Sequence, residues 1–485
     1  MLTAITGINW GDEGKGRMVD LLSENYDVVV RYQGGNNAGH TVVNDKGKFI
    51  LNLLPSGILR EGVTNVIGNG VVVDIKHLVE EMGRIEEAGI AIPPEHLKIS
   101  DRAVICMPYH VMQDCLEENR LAGKKYGSTR RGIAPVYGDK YMKKCIRMGE
   151  LFDMAKLEER LKDIVEWKNL TIVGVYGGEP VKLSDMMAHL KKYGEKLLPY
   201  ICDTSVFLDN LAKEGKNIMF EAQLGALRDI DFGIYPFTSS SNSIAAYAPV
   251  GAGIPGRKLD LSIGIMKAYS TCVGEGPFTV EYFGDKAEEL RKAGGEYGAA
   301  TGRPRRVGPF DAVASRFGIR MQGADEIALT KLDVLSYAKE LEVCVAYDYR
   351  GEKITDFPLT QKLEECKPIY VTLKGWNKDV SGCRKKEDLP KEAVEYIEFI
   401  EKAVGEIYEF ITFLAEIAYP VFRRKRKHRQ KHTAFSFHFY LFQKGEVCLL
   451  PFKISLLFYA ITLLYTRLFP RRRKRILSSR RRLSL

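Results

Sequence analysis

Short apolar, β-branched runs alternate with stretches of helical spacing over most of this chain. Residues 2–5, 27–31, 65–67, 170–175 and 216–220 have the length and branching of strands. Residues 76–88 carry apolar positions three and four apart, which predicts an amphipathic helix. Val394, Ile397, Ile400 and Val404 repeat that spacing, with Asp388 as a cap candidate, Pro390 near the first turn and Gly405 as the stop. Strands alternating with helices predict an α/β fold with a large, mostly parallel central sheet flanked by helices.

Two of the predicted strands run into glycine-rich turns that carry charge. Gly11-Asp12-Glu13-Gly14-Lys15-Gly16 follows the first. Glycines let backbone N–H groups close on a phosphate, Lys15 adds a point charge, and a helix starting near Lys15 aims its positive end at the same place. Asp12 is the odd member, because a carboxylate beside a polyphosphate is repelled unless it holds a cation or takes a proton. The common phosphate-loop pattern fails, with Asn9 at its first glycine and Gly16 after Lys15. Taken alone, the turn is equally readable as a tight, solvated loop. The second turn, Arg31-Tyr32-Gln33-Gly34-Gly35-Asn36-Asn37-Ala38-Gly39-His40-Thr41, puts two amides and a histidine at another strand end, where open α/β sheets place ligands.

Composition sets the class. With 45% hydrophobic and 28% charged residues over 485 positions, the chain reads as a globular enzyme of one large domain with insertions or several smaller ones. Nine scattered cysteines without a C-x-x-C pair argue against a disulfide framework or zinc site and for a reducing, cytoplasmic setting. The N-terminus enters a strand directly, unlike a signal peptide. The net charge of +10 is uneven: residues 421–485 hold 18 Lys plus Arg against the single acid Glu446, leaving residues 1–420 at −7. Nothing in that body calls for nucleic acid.

Trp10 to Asp20 (WGDEGKGRMVD) and Tyr32 to Thr41 (YQGGNNAGHT) resemble the two signature segments of the adenylosuccinate synthetase family. Leu53-Leu54-Pro55-Ser56-Gly57, Gly127-Ser128-Thr129-Arg130-Arg131-Gly132-Ile133, Asp229-Ile230-Asp231-Phe232-Gly233-Ile234-Tyr235-Pro236, Gly302-Arg303-Pro304-Arg305-Arg306, Thr330-Lys331-Leu332-Asp333 and Gly375-Trp376 follow in order. The resemblance implies a catalytic domain over residues 1–405, related to P-loop-type nucleotide-binding folds and carrying inserted subdomains. It implies a GTP-dependent ligase of AMP synthesis that joins IMP and L-aspartate with Mg²⁺, as a cytoplasmic homodimer. The chemistry starts from a poor leaving group: the hypoxanthine 6-oxygen must be phosphorylated, so the N1 proton has to leave and the γ-phosphate charge has to be offset.

Roles carried over from the resemblance follow that chemistry. Asp12 is the general base and a magnesium ligand, and the Gly39 carbonyl completes the metal site. A carboxylate of pKa about 4 is a weak base for this task, so neighbouring groups must stabilise the purine anion. His40 is the general acid, and Lys15 offsets charge on the phosphates and the 6-oxyanion. Gln223 is a further catalytic residue, although Ala222-Gln223-Leu224-Gly225 displaces it by one position from the family's glutamine. GTP is expected to meet Gly11, Asp12, Glu13, Gly14, Lys15, Gly16 and Arg17, then Gly39, His40, Thr41 and Arg305. Lys331, Leu332 and Asp333 read its guanine. IMP is expected against Asp12 to Lys15, Asn37, Ala38, Gly39 and His40, with Thr129, Gln223, Ser239 and Arg303. Lys143, where the family has arginine, reaches the IMP phosphate across the dimer. Aspartate is expected in the loop Ala299-Ala300-Thr301-Gly302-Arg303-Pro304-Arg305, where guanidinium forks suit carboxylates.

After Gly405 the sequence leaves the family's pattern. A helix-like stretch runs to Tyr419, followed by basic clusters at 423–427, 471–475 and 480–482. Residues 448–469 are apolar, but Pro451, Lys453 and Arg467 leave only 454–466 unbroken, short of the roughly 20 residues a membrane span needs. A membrane segment, a nucleic-acid-binding tail and an out-of-frame, poorly ordered C-terminus are the three readings of 406–485, and the last is favoured. Without the family's terminal guanine loop, GTP is expected to bind poorly. The alternatives to a ligase are a non-catalytic purine-nucleotide-binding protein, or a form inactivated or relocated by the tail. A mere binder needs neither Asp12 nor His40.

Overall fold

A sheet whose middle strands are buried on both faces organises the described residues. In chain order the main sheet contains Leu2–Gly7 (β1), Val28–Arg31 (β2), Thr64–Ile67 (β3), Leu97–Ser100 (β4), Ile201–Cys202 (β5), Ile218–Glu221 (β6), Leu261–Lys267 (β7), Glu326–Thr330 (β8), Glu409–Thr412 (β9) and Phe422–Lys425 (β10). Across the sheet the order is β10-β9-β8-β7-β1-β6-β2-β3-β4-β5, parallel throughout except for the antiparallel β9–β10 pair. This computed structural model describes residues 1–44, 47–124, 126–298, 302–405, 409–412 and 422–425. All six residues of β1 are buried, as expected of a parallel strand covered on both sides.

The α/β prediction is borne out. Strands stand where residues 2–5, 27–31, 65–67 and 216–220 predict them, and the helix predicted at 76–88 is Ile75–Glu87. Its N-cap Asp74 accepts from the His77 N–H at 3.0 Å. Residues 170–175 are not a strand. They close a helix, Met154–Gly174, in which Leu157, Leu161, Ile164, Val165, Lys168 and Ile172 are buried at helical spacing. That longer period overrides the β-branched composition of its last turn. The helix Lys391–Val404 buries Ile397, Ile400 and Val404 and ends at Gly405, with φ 99°. Its N-cap is Pro390 instead of Asp388, whose carboxylate accepts the N–H groups of Arg384 and Lys385 at 3.0 and 3.1 Å in the preceding turn.

Glu409–Thr412 lies in the stretch read as helix-like, yet pairs in parallel with β8 through Glu326↔Glu409 and Leu329↔Thr412. Pairing on both sides, with β8 and β10, satisfies backbone groups in a way that helical spacing alone would not predict. Beyond β9 and β10, the readings placed on 406–485 lie outside the described residues. Among the described residues no helix is long and apolar enough to cross a membrane.

Candidate active site

Charge collects at the carboxyl ends of adjacent strands. Thr330, Lys267, Gly7, Glu221 and Arg31 are the last residues of β8, β7, β1, β6 and β2. The registers place Lys267 opposite Thr330 and Glu221 opposite Arg31. This is the edge at which open α/β sheets hold ligands.

The first glycine-rich turn leads from β1 into the helix Lys15–Ser23 (α1). Gly11, Asp12 and Gly14 have φ of 104°, 60° and 96°, a left-handed course that curls the loop under the N-terminus of α1. The Glu13 carboxylate folds into the curl and accepts from Gly11 N at 2.8 Å, Asn9 N at 3.1 Å and Lys15 Nζ at 2.6 Å. A loop that already holds a carboxylate on backbone N–H groups is built for anions. Asp12 points outward, its side chain 37% exposed, and pairs with Arg305 Nη2 at 3.1 Å.

The second turn brings His40 against α1. A Cβ added at Gly16 would lie 2.9 Å from His40 Cβ and 3.5 Å from Ser56 Oγ. His40 Nδ1 is 2.5 Å from Glu221 Oε1, while the other Glu221 oxygen accepts from Ser56 N at 2.8 Å. Arg31 Nη1 lies 3.2 Å from the same Nδ1 and 3.5 Å from Glu221, and Arg31 Nη2 donates to Asn52 O at 3.0 Å. A nitrogen this close to a carboxylate carries its proton, so Nδ1–H is directed at Glu221 and Nε2 is left for a substrate. Burial, then Arg31, hold the His40 pKa below its ordinary value, against the pull of Glu221. Burial alone would raise the Glu221 carboxyl, but Arg31, His40 and Ser56 outweigh it and bring it down to about 2. Gly16→Ala should therefore displace His40. We expect turnover to fall about tenfold or more with α1 retained, measured by initial rates and far-UV circular dichroism.

A third cluster surrounds Glu296. Its Oε1 is 2.8 Å from Lys267 Nζ, 3.0 Å from Lys331 Nζ and 2.5 Å from Tyr269 OH, and its Oε2 is 2.5 Å from Arg305 Nη1. Burial lowers the Lys267 pKa to about 8, Lys331 and Arg305 push the same way, and Glu296 and Asp12 oppose them.

The remaining candidates fall into two places. The helix Ile133–Met142 (α2 of the site) rests on the second turn through Tyr137 OH, which accepts from Gly34 N at 2.9 Å and donates to Gly70 O at 2.7 Å. Thr129 precedes this helix and Lys143 caps it at φ 63°, both exposed. Gln223 Nε2 donates to Gly35 O at 2.6 Å and Asn52 O at 3.1 Å, while its Oε1 is buried without a partner among the described residues. Ser239 Oγ meets Ser241 Oγ at 2.9 Å, Ser241 Oγ donates to Gln33 Oε1 at 2.8 Å, and Gln33 Nε2 donates to Gln223 O at 2.9 Å. Ser239 and Gln223 thus belong to one polar chain running to the second turn. On the other side, Arg303 lies 3.6 Å from Glu275 and is 73% exposed. Ala299, Ala300 and Thr301 lie outside the described residues.

A family model described as "Adenylosuccinate synthetase" matches residues 4–413. The chain belongs to the adenylosuccinate synthetase family. It is 46% identical over 402 residues to the adenylosuccinate synthetase of Heliobacterium modesticaldum, spanning 83% of this chain and 94% of that one. It is 44% identical over 402 residues to that of Geobacillus sp. strain WCH70, with the same coverage. The solved structure of fully ligated adenylosuccinate synthetase from Plasmodium falciparum superposes with a TM-score of 0.79 at 34% identity, covering 88% of this chain and 99% of that chain. Membership makes the chain a GTP-dependent ligase of AMP synthesis, as the two glycine-rich segments imply.

Within the family's fold, four charged residues escaped the sequence reading as site groups: Arg31, Glu221, Lys267 and Glu296. The first three share a signal. Each is a lone charge closing an apolar strand, in Val28-Val29-Val30-Arg31, Ile218-Met219-Phe220-Glu221 and Ile265-Met266-Lys267. A charge buried at a strand's carboxyl end needs partners, and its partners mark the site. Glu296 carries no such signal, because it follows Gly294-Gly295 at a helix end and becomes buried only through tertiary packing.

Proposed function

We propose that this ligase joins IMP to L-aspartate through a 6-phosphoryl-IMP intermediate, with Asp12 as base and His40 as acid. Asp12 removes the N1 proton of IMP, and the 6-oxygen attacks the γ-phosphorus of GTP as the bond to GDP breaks. The aspartate amine then adds at C6 and phosphate leaves. IMP, aspartate and GTP thus give adenylosuccinate, GDP and phosphate. The observation that supports this reading most strongly is the placement of both groups about the N-terminus of α1, Asp12 in the turn that opens it and His40 packed on Gly16.

The chain's own groups divide the remaining work. Lys15, held by Glu13, offsets charge at the phosphates and the 6-oxyanion. Glu221 takes the Nδ1–H of His40, so the acid role falls to Nε2 of the imidazolium, the form that Glu221 favours against burial and Arg31. Arg305 has a buried Nε with no partner among the described residues and suits an aspartate carboxylate, together with Arg303 and the rest of residues 299–305. Lys331, left-handed at φ 59°, and Asp333 suit the guanine, with Leu332 buried between them. Gln223, Ser239, Asn37 and Thr129 suit IMP, and Lys143 suits its phosphate from a second subunit of a homodimer.

For Mg²⁺, the outward carboxylate of Asp12 and the exposed backbone at Gly39 are hard oxygen donors. Among the described residues no group of three or more His, Cys, Asp or Glu could hold a metal. That fits an ion held by one carboxylate plus substrate phosphates, where it would neutralise charge between the phosphoryl groups. Purified full-length chain given IMP, aspartate, GTP and Mg²⁺ should form adenylosuccinate and GDP in equal amounts, followed by chromatography. Binding of the nucleotides without adenylosuccinate would overturn the reading in favour of a non-catalytic binder.

A further inference from the structure

Glu296 ties together two parts of the site that the ligase reading gives to different substrates. Its carboxylate is fully buried and meets Lys331 through Oε1 and Arg305 through Oε2, at 3.0 and 2.5 Å. Its backbone carbonyl accepts from Arg305 N at 3.0 Å. Tyr297 bridges to Pro304, and Gly298 N donates to Arg303 O at 2.8 Å. Glu296 and Arg305 therefore join the segments 296–298 and 303–305 with both main chain and side chain. The same guanidinium continues from Glu296 to Asp12, with Nη2 at 3.1 Å. One buried anion thus orients the cation beside the candidate base and the cation at the head of the Lys331–Asp333 turn.

We propose that Glu296 is a positioning residue that holds Arg305 for aspartate and Lys331 for guanine, coupling the two sites through one carboxylate. The assignment rests on the ligase reading, in which those two side chains meet those two substrates. Burial disfavours a charged carboxyl here, yet Lys267, Lys331 and Arg305 together keep its pKa well below the usual range. Losing that charge leaves three cations facing one another. Arg305 is then drawn toward its remaining partner, Asp12, and Lys331 loses its tether.

The test is Glu296→Gln in the full chain, which keeps the shape and one acceptor while deleting the charge. KM for aspartate and KM for GTP should rise together, by about tenfold or more, as expected for loss of a charge-assisted contact. KM for IMP should stay within about twofold, since Glu296 touches none of the residues assigned to IMP and reaches Asp12 only through Arg305. Calorimetric titration with GTP alone should show the same loss of affinity, and Glu296→Asp should recover part of it. Unchanged KM for aspartate and GTP, or an equal rise in all three KM values, would overturn the coupling. A wild type that binds GTP but forms no adenylosuccinate defeats the ligase reading instead. The GTP titration then still decides Glu296, with unaltered affinity in E296Q overturning it. A wild type that does not bind GTP overturns both.

Discussion

Asp12→Asn is expected to lower kcat by about a thousandfold or more while IMP still binds measurably. The substitution is close to isosteric, and its backbone position is tolerant. Asp12 sits at φ 60°, a left-handed conformation that asparagine adopts as readily as aspartate. The loop therefore keeps its course, with Gly11 and Gly14 supplying the other positive φ values. What disappears is a proton acceptor and an anion. An amide cannot take the N1 proton of IMP, and it is a poorer ligand for a hard divalent cation. Arg305 loses its 3.1 Å contact with the Asp12 carboxylate but keeps Glu296. The guanidinium proposed for aspartate should therefore remain in place, and the loss should fall on kcat rather than on aspartate affinity. Initial rates of adenylosuccinate formation, with IMP affinity from calorimetry, check this result. A kcat within tenfold of wild type would remove Asp12 from the base role.

Much of the architecture was legible because parallel strands announce themselves. The run Val28-Val29-Val30 and the apolar opening at residues 2–5 are buried on both faces, so their pattern needs no tertiary information. The failures have one cause. In residues 170–175 a β-branched run masked a helix whose evidence lay upstream, in the spacing of Leu157, Leu161, Ile164 and Ile172. In residues 409–412 a helix-like pattern yielded to an open sheet edge. Short windows carry composition, while elements are decided over longer stretches or by neighbours distant in sequence.

The site shows a similar division. Both glycine-rich turns could be located from the sequence, because glycines and charge after a strand leave a local mark, although the first taken alone read equally as a tight, solvated loop. The electrostatic support could not. Glu221 and Arg31 are 190 residues apart and meet only because β6 and β2 are neighbours in the sheet. Glu296 and its neighbour Arg305 meet Lys267 and Lys331 from three separate stretches of chain. Nothing local records such a hub, although lone charges at strand ends gave notice that hubs exist.

Glu221→Gln should cost about 3–5 kcal/mol of stability and lower kcat by roughly a hundredfold at temperatures where the protein remains folded. The carboxylate is completely buried and answers Arg31, His40 and both the N–H and hydroxyl of Ser56. A neutral amide can still accept from Ser56, but it leaves Arg31 buried without its counter-charge and turns an N–H group toward other donors. The catalytic loss has a separate origin. Without an anion at Nδ1, the imidazole of His40 no longer has a fixed tautomer or orientation, and Nε2 is delivered to the substrate in only part of the population. The two effects separate by pH. A carboxyl held at about 2 in the fold, below its ordinary 4.5, contributes stability that is fully present above about pH 4.5 and lost as pH falls toward 2. Wild type should therefore lose its advantage over E221Q across that window. The rate deficit at neutral pH should persist in protein shown by circular dichroism to be folded. Equal acid dependence of the two melting curves would mean that Glu221 is not the depressed carboxylate. A variant that is destabilised yet turns over at the wild-type rate would leave His40 oriented by something other than Glu221.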